Sequence, residues 1–373
     1  MSDIRPYRID VPAAVLEDLQ QRLARSRWPE AETVDDWSQG IPLSYTRELA
    51  SYWADGYDWR SREAALNTFD QYVTEIDGLD LHFIHQRSPH ECALPLVLTH
   101  GWPGSVVEFH KVIEPLVNPP SGRAEDAFHV ICPSLPGYGF SGKPTDTGWG
   151  VEKIAEAWET LVGRIGYDRY GAQGGDWGAA VTTQIGRNGG RCVGIHLNMP
   201  IAKPVKDAEF SEEDQQALAA YVEHRKWGTG YSKQQSTRPQ TLGYGLVDSP
   251  VGQMAWVVEK FWAWADCDGH PEKVLTKDEL LDNVMMYWVT GSGASSARLY
   301  WESFNRFVSD GRVDLPTGVA SFPKEILRTP RAWCEAAYNI TRWTTMPRGG
   351  HFAAFEQPDL FVDDVRAFFA TLR

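Results

Sequence analysis

A glycine-rich turn constrains the fold of this chain more than any other feature. The strand-like segment 170–173 runs into Gly-Gly-Asp-Trp-Gly (174–178), and a helical pattern follows. So tight a strand-to-helix turn needs residues without bulk two positions before and two after its centre, and it points the strained central side chain into a cavity. Gly174 and Gly178 meet this need, which makes Asp176 a candidate nucleophile. The alternative is an ordinary glycine-rich turn with a capping aspartate.

Strand and helix patterns alternate around this turn. Helical spacing is found at 151–165 and after Pro358, and apolar or alternating segments lie between the helical ones. Strands that alternate with helices predict a mostly parallel sheet with helices on both faces. The predicted strands are 72–76, 79–87, 95–100, 128–135, 170–173, 192–198, 318–322 and 339–346.

Two stretches depart from this alternation. At the N-terminus the pattern predicts helices and turns, with Asp10 as a helix cap, Pro12 in the first turn and a second helix from Pro42. Residues 201–309 are helical and aromatic, without a clear strand. A helical insertion late in an α/β body implies a lid over the carboxyl ends of the strands, where open sheets bind ligands. The predicted division is an N-terminal helical segment at 1–68, a core at 69–200 and 310–373, and a lid at 201–309.

Charge and composition argue against several classes of partner. The 50 acidic residues outnumber the 36 basic ones, the net charge is −14, and no run of Lys and Arg exceeds two residues. We therefore expect no binding to nucleic acid or to an anionic membrane. No apolar run reaches the ~18 residues of a membrane span, and the opening MSDIRPYRIDVP lacks the apolar core of a signal peptide. Five dispersed cysteines indicate reduced thiols, so we expect a cytoplasmic protein, with a homodimer left open as its assembly.

A second turn follows the predicted strand at 95–100. Its sequence is His-Gly-Trp-Pro-Gly (100–104), and a turn of this kind can present a backbone N–H towards the elbow. We assign to Trp102 and Trp177 the two backbone N–H groups of an oxyanion hole, and we expect both residues to line the substrate pocket. The alternative is an ordinary Pro-Gly loop after a strand.

A histidine on a glycine loop is the third candidate. His351 follows two glycines after the last predicted strand, a suitable position for a general base, although a lone histidine is more often structural. Its acid partner should lie between Asp176 and His351 in the chain, just after a strand, in the order of loop, nucleophile, acid and histidine. Glu325 follows a predicted strand and is favoured, whereas Asp314 precedes that strand and is the alternative.

Two further patterns carry little weight. Residues 137–142 have the form G-x-G-x-x-G, but Lys143 and Pro144 follow and no helix opens there, so a dinucleotide site is not expected. His82 and His85 are spaced like metal ligands, but positions i and i+3 of a strand face opposite sides. We therefore predict neither a cofactor nor a metal.

An aspartate nucleophile restricts the chemistry. A carboxylate with a reference pKa of ~3.9 is ionised at neutral pH, so it can attack an alkyl carbon without a general base and form an ester. The histidine is then needed only to activate the water that hydrolyses this ester. Opening of an epoxide also needs a proton donor for the departing oxygen, whereas expulsion of a halide needs N–H donors such as that of Trp177. The lid offers five tyrosines as proton donors: Tyr221, Tyr231, Tyr244, Tyr287 and Tyr300.

Six sequence blocks are distributed from the N-terminus to the C-terminus: IRPYRIDVPAAVLEDLQQRLARSRWPE, THGWPGS, PSLPGYGFSGKP, QGGDWG, FPKE and RGGHFAAFEQP. In these blocks the chain resembles, from end to end, the microsomal-type epoxide hydrolase family of the α/β-hydrolase superfamily. The resemblance implies an α/β-hydrolase sheet of the eight-stranded type, an N-terminal segment that wraps the body and the lid, and Asp176, His351 and Glu325 as nucleophile, base and acid. Two lid blocks, GTGYSKQQSTRPQTLGYGLVDSPVG and MMYWVTGSGASSARLYWES, imply Tyr231 and Tyr300 as the pair that polarises the epoxide.

The implied reaction is the cofactor-independent addition of water to an epoxide, which gives a vicinal diol. We also expect no hydrophobic N-terminal anchor of the kind that the membrane-bound members carry. Two alternatives stay open: a haloalkane dehalogenase with the same aspartate and histidine, and a catalytically silent relative that only binds. A bulky or aryl epoxide is favoured by the tryptophans of the lid, which are Trp227, Trp256, Trp262, Trp264, Trp288 and Trp301.

Overall fold

The computed structural model describes residues 4–304 and 311–373. One sheet contains the strands of this part of the chain. They are β1 (Arg5–Tyr7), β2 (Gln71–Ile76), β3 (Leu79–Gln86), β4 (Leu94–Thr99), β5 (Phe128–Pro133), β6 (Tyr170–Gly174), β7 (Cys192–Leu197), β8 (Val313–Ser321) and β9 (Tyr338–Thr345). The strand order is β1-β2-β3-β5-β4-β6-β7-β8-β9. In this order, the first three neighbouring pairs, β1-β2, β2-β3 and β3-β5, are antiparallel. The remaining five pairs, from β5-β4 to β8-β9, are parallel.

Helices cover both sides of this sheet, as the alternating pattern predicts. The α-helices of the described residues are α1 (Ala13–Ala24), α2 (Leu43–Asp55), α3 (Trp59–Leu66), α4 (His110–Val117), α5 (Val151–Ile165), α6 (Asp176–Asn188), α7 (Glu212–Glu223), α8 (Gly230–Thr237), α9 (Pro239–Asp248), α10 (Pro250–Trp264), α11 (Lys277–Trp288), α12 (Gly293–Ser303), α13 (Arg331–Ala337), α14 (Ala353–Glu356) and α15 (Pro358–Phe369). Every residue of β4 and of β5 is buried, which is consistent with their mostly apolar sequences.

The hairpin of β2 and β3 shows how the sequence sets a local structure. Its two turn residues, Asp77 and Gly78, have φ values of +51° and +78°. A two-residue turn with both φ angles positive matches the twist of the strands on either side, and aspartate followed by glycine adopts it readily. Ile76 and Leu79 are therefore directly opposite each other at the start of the ladder.

The N-terminal stretch differs from the sequence prediction in two ways. Residues 5–7 form β1, which pairs with β2 as a ninth strand, where the sequence predicted helices and turns and a sheet of the eight-stranded type. Three residues are too few to show the alternation that identifies a strand. Asp10 does not cap the first helix, because α1 begins at Ala13 with Pro12 as its N-cap residue and no side-chain hydrogen bond there. The second helix begins after Pro42, as predicted.

Six helices, α7 to α12, lie in the predicted lid, and two of them, α11 and α12, bind loops at the carboxyl ends of the strands. From α11, the Asn283 side-chain amide donates to the carbonyl of Pro103 at 2.7 Å, and the Tyr287 hydroxyl donates to the carbonyl of Gly104 at 2.6 Å. From α12, the Ser295 hydroxyl donates to the carbonyl of Gly137 at 2.6 Å. Between residues 201 and 304 the structure contains no strand, as predicted.

Residues 305–310 lie outside the described residues. They include the predicted end of the last lid helix and the predicted boundary between lid and core at 309 and 310. None of the described helices combines the length and the hydropathy that crossing a bilayer requires.

The N-terminal helices also bind helices of the predicted lid. Asp282 of α11 is 3% exposed and forms an ion pair with Arg62 of α3. The Tyr57 hydroxyl donates to the same carboxylate at 2.8 Å. From α1, the Arg22 guanidinium donates to the carboxylate of Asp248 at 2.8 Å. The N-terminal segment thus packs against the lid, as the family resemblance implies.

Candidate active site

Asp176 lies at the turn between β6 and α6, in the backbone conformation expected of the elbow. Its φ is +50°, in the left-handed region that non-glycine residues rarely adopt. A Cβ on Gly174 would lie 2.1 Å from the carbonyl oxygen of Gly178, and a Cβ on Gly178 would lie 1.8 Å from the carbonyl oxygen of Thr99. Both distances are far shorter than van der Waals contact. The two glycines are therefore required, for the reason that the sequence analysis gave.

The loop after β4 supplies a hydrogen bond to this carboxylate. The backbone N–H of Trp102 donates to Oδ1 of Asp176 at 2.8 Å. The loop can come this close because residue 101 is glycine: a Cβ there would lie 2.2 Å from the same oxygen. Trp177 follows in the first turn of α6, and its ring meets the ring of Tyr300 edge-on at 4.8 Å. Both tryptophans are almost fully buried.

His351 lies between the other oxygen of Asp176 and a second carboxylate. Its Nδ1 is 2.6 Å from Oε1 of Glu325, and its Nε2 is 3.5 Å from Oδ2 of Asp176. Burial by itself lowers the pKa of His351, but the charges of Glu325 and Asp176 and their hydrogen bonds outweigh burial and raise this pKa well above its usual value. All three side chains are buried. The arrangement can place a proton on the imidazole and hold it there.

The structure brings Glu325 to the site and leaves Asp314 outside it. Glu325 follows the carboxyl end of β8, and the backbone N–H of Lys324 bonds to the carbonyl of Gly349 at 3.1 Å, next to His351. Asp314 lies at the beginning of the same strand. Its side chain is 92% exposed and is 3.6 Å from Arg312. The alternative acid therefore lies at the far end of β8.

Two of the five candidate tyrosines lie against Trp102, close to Asp176. Tyr231 of α8 stacks on the ring of Trp102 at 5.1 Å, and Tyr300 of α12 meets that ring edge-on at 5.8 Å. Burial raises the pKa of both hydroxyls, and the charge of Asp176 adds to the effect. Neutral hydroxyls near a carboxylate can donate hydrogen bonds and protons. The Tyr287 hydroxyl is already bonded to a backbone carbonyl, and Tyr244 is 69% exposed.

The six tryptophans of the predicted lid lie in different surroundings. Trp264 meets the His351 ring edge-on at 5.0 Å and lies 5.0 Å from the Tyr231 ring. By contrast, Trp227 and Trp301 are 74% and 51% exposed, so they do not line an enclosed pocket. Helical periodicity alone could not separate these cases, because the side of a lid helix that faces the core is set by tertiary packing.

A small cavity lies directly beneath the catalytic candidates. Its volume is about 20 Å³, enough for one water molecule. Asp176, His351 and Glu108 are among the residues that line it. Burial raises the pKa of Glu108 to about 8; the charge of His351 opposes this shift, and Asp176 and Glu356 add to it. The sequence analysis missed Glu108 because nothing in its local pattern distinguishes it from an ordinary acid in the first turn of a helix.

Comparison with known proteins identifies the family. Residues 4–109 match the family described as "Epoxide hydrolase N terminus", and residues 95–226 match "alpha/beta hydrolase fold". A putative epoxide hydrolase from Stigmatella aurantiaca is 53% identical over 99% of this chain and 86% of its own. Epoxide hydrolase 1 from Sus scrofa is 36% identical over 99% of this chain and 89% of its own.

Two solved structures agree with this result over the whole chain. The structure of Aspergillus niger epoxide hydrolase has a TM-score of 0.91 and 31% identity, covering 100% of this chain and 97% of that one. The juvenile hormone epoxide hydrolase of the silkworm Bombyx mori has a TM-score of 0.92 and 30% identity, covering 100% of this chain and 95% of that one. The chain therefore belongs to the epoxide hydrolase family of the α/β-hydrolase superfamily, as its sequence motifs predict.

Proposed function

We propose that this epoxide hydrolase works in two steps, through an ester of Asp176 that water then hydrolyses to release a vicinal diol. The observation that carries the proposal is the unequal placement of the two Asp176 oxygens. Oδ1 accepts the N–H of Trp102 at 2.8 Å, whereas Oδ2 lies 3.5 Å from Nε2 of His351. One oxygen thus occupies the position of an oxyanion, and the other is left to react.

In the first step Oδ2 attacks a ring carbon of the epoxide. The bond from that carbon to the epoxide oxygen breaks, and the oxygen receives a proton from Tyr231 or Tyr300. This role is supported by the position of both tyrosines against Trp102 and by their raised pKa values, which keep them protonated before the reaction. The product of the step is a hydroxyalkyl ester and one tyrosinate.

In the second step His351 takes a proton from water, and the hydroxide adds to the ester carbon. Negative charge then develops on Oδ1, where the N–H of Trp102 and, in this proposal, that of Trp177 stabilise it. Esterification has removed the charge of Asp176, which otherwise adds to the raised pKa of His351. The pKa of His351 therefore falls, and its proton moves to the tyrosinate that the first step leaves, so that a neutral imidazole is present to act as the base. Collapse breaks the bond between the ester carbon and the alkyl oxygen. That oxygen takes the second proton of the water and leaves in the diol, Asp176 returns as a carboxylate, and His351 keeps the first proton.

The surroundings of the site support a bulky or aryl epoxide as substrate. The rings of Trp102, Tyr231 and Trp264 lie against one another above Asp176, at centroid distances of 5.0 to 6.1 Å. Such an aromatic surface favours an apolar, flat group beside the epoxide.

All five cysteines are free thiols, which supports a reducing compartment such as the cytoplasm. We keep residues 201–309 as the proposed lid, since it supplies both tyrosines.

The first prediction tests the two-step route. We expect His351→Gln to react once with styrene oxide and then stall, because the carboxylate attacks without a base but its ester needs activated water. Mass spectrometry of the stalled protein should find the mass of the epoxide on the peptide that contains Asp176. Asp176→Asn serves as the control and should carry no adduct. Absence of an adduct from His351→Gln would count against the covalent route.

The second prediction separates Glu325 from Asp314. Glu325→Gln should slow hydrolysis of the ester by about 10²- to 10⁴-fold, the range that general base catalysis contributes, because the imidazolium loses its charged partner at 2.6 Å. Asp314→Asn is the matched control and should behave like the wild type, since its side chain is exposed. Rapid-mixing kinetics under single-turnover conditions measure this step. The opposite ranking of the two variants would show that Asp314 is the acid.

The third prediction concerns the lid tyrosines. Tyr231→Phe and Tyr300→Phe should each slow formation of the ester, and the double variant should lose about 10²- to 10⁴-fold, because the departing oxygen then lacks a proton donor. Tyr244→Phe, whose ring is exposed, is the control. The rate of ester formation is measured by the change in tryptophan fluorescence on rapid mixing. A double variant that forms the ester at the wild-type rate would leave these tyrosines with a packing role only.

A further inference from the structure

One buried carboxylate that the mechanism does not use binds the backbone on both sides of the catalytic histidine. Glu356, the last residue of α14, is 8% exposed. Its Oε1 accepts the backbone N–H of Phe352 at 2.9 Å, and its Oε2 accepts that of Gly350 at 3.1 Å. These two residues immediately precede and follow His351. One buried side chain thus fixes the backbone on either side of the base.

The end of lid helix α10 joins the same network. Oε2 of Glu356 also accepts the N–H of Asp266 at 2.7 Å. In return, the carboxylate of Asp266 accepts the N–H of Gly349 at 2.9 Å, and the carbonyl of Trp264 accepts the N–H of His351 at 3.0 Å. All four backbone N–H groups of residues 349–352, which we call the histidine loop, therefore bond to Glu356 or to the lid.

The close fit of these two segments shows that the contact is specific. A Cβ on Gly350 would lie 2.4 Å from the carbonyl oxygen of Trp264 and 2.8 Å from the backbone nitrogen of Asp266, so only glycine allows it. Burial raises the pKa of Glu356 to about 7, whereas its hydrogen bonds from three backbone N–H groups and the charge of His351 act in the opposite direction. The charge of this buried carboxylate is stabilised by the same bonds that hold the histidine loop.

We propose that Glu356 is a positioning residue for the hydrolytic step, which it serves by tying the histidine loop to the end of lid helix α10. The inference rests on the two-step route proposed above. Glu325 fixes the imidazole through Nδ1, but only a fixed backbone can also set the distance from Nε2 to the ester of Asp176. An error of about 1 Å in such a distance can cost on the order of 10²-fold in rate. Ester formation does not use His351 and should be spared.

The experiment separates the two steps in the full-length protein. In Glu356→Gln, an amide nitrogen replaces one acceptor oxygen, so at least one backbone N–H of the network loses its partner. With styrene oxide in single turnovers, we expect ester hydrolysis to fall by about 10- to 100-fold, because a misplacement of up to about 1 Å in a reacting group costs rates of this order. The rate of ester formation should be unchanged. The matched control is Asp359→Asn, an exposed acid in the first turn of the next helix.

A second variant separates a positioning role of Glu356 from a general effect on folding. Asp266→Ala removes only the bond to Gly349 and should slow hydrolysis in the same selective way, though less. Equal loss in both steps, together with a lower melting temperature, would show that Glu356 is merely structural and would overturn the inference. Wild-type hydrolysis in Glu356→Gln would overturn it too, provided that His351→Gln accumulates the ester. Failure of His351→Gln to accumulate ester would overturn the two-step route itself.

Discussion

The carboxylate of Asp176 is held mainly by backbone geometry. The N–H of Trp102 binds Oδ1 at 2.8 Å, and the aspartate itself has a φ of +50°, a conformation that costs about 1–3 kcal/mol and persists only where its surroundings impose it. Backbone atoms and the Asp176 carboxylate approach Gly101, Gly174 and Gly178 so closely that a Cβ at any of these positions would clash with them. As a result, the two oxygens of a symmetric group differ. One is bound as an oxyanion would be, and the other faces His351.

The rest of the fold holds the groups that surround this carboxylate. Parallel strands bring the Trp102 loop, Glu325 and His351 together at the carboxyl ends of the strands. Three helices of the proposed lid bind the loops there. Helix α11 binds the carbonyls after Trp102, α12 binds the carbonyl of Gly137, and the end of α10 binds the histidine loop. The N-terminal segment reaches the site indirectly, through the ion pair of Arg62 with Asp282 of α11. A change far from Asp176 can therefore alter the geometry of the site.

Much of this arrangement could be predicted from the sequence, because it depends on local patterns. Apolar strands, helical periodicity and glycines around Asp176 and His351 identify the sheet and the elbow, and the family resemblance supplies the tyrosine pair. Features set by tertiary contacts could not be predicted. These include the pairing of β1, the exposure of Trp227 and Trp301, and the N-cap of α1. The raised pKa values and the partners of Glu108 and Glu356 could not be predicted either, because they arise only when distant segments bury these side chains.

In the mechanism proposed here, the oxygen added to the epoxide comes from Asp176 and is then replaced from water. A single turnover in ¹⁸O-labelled water, with enzyme in excess over styrene oxide, tests it directly. Mass spectrometry of the diol and of the peptide that contains Asp176 reads out the label. We expect an unlabelled diol and one ¹⁸O atom in the Asp176 carboxylate. A diol that carries ¹⁸O after one turnover, with Asp176 unlabelled, would mean direct attack by water and would contradict the covalent mechanism.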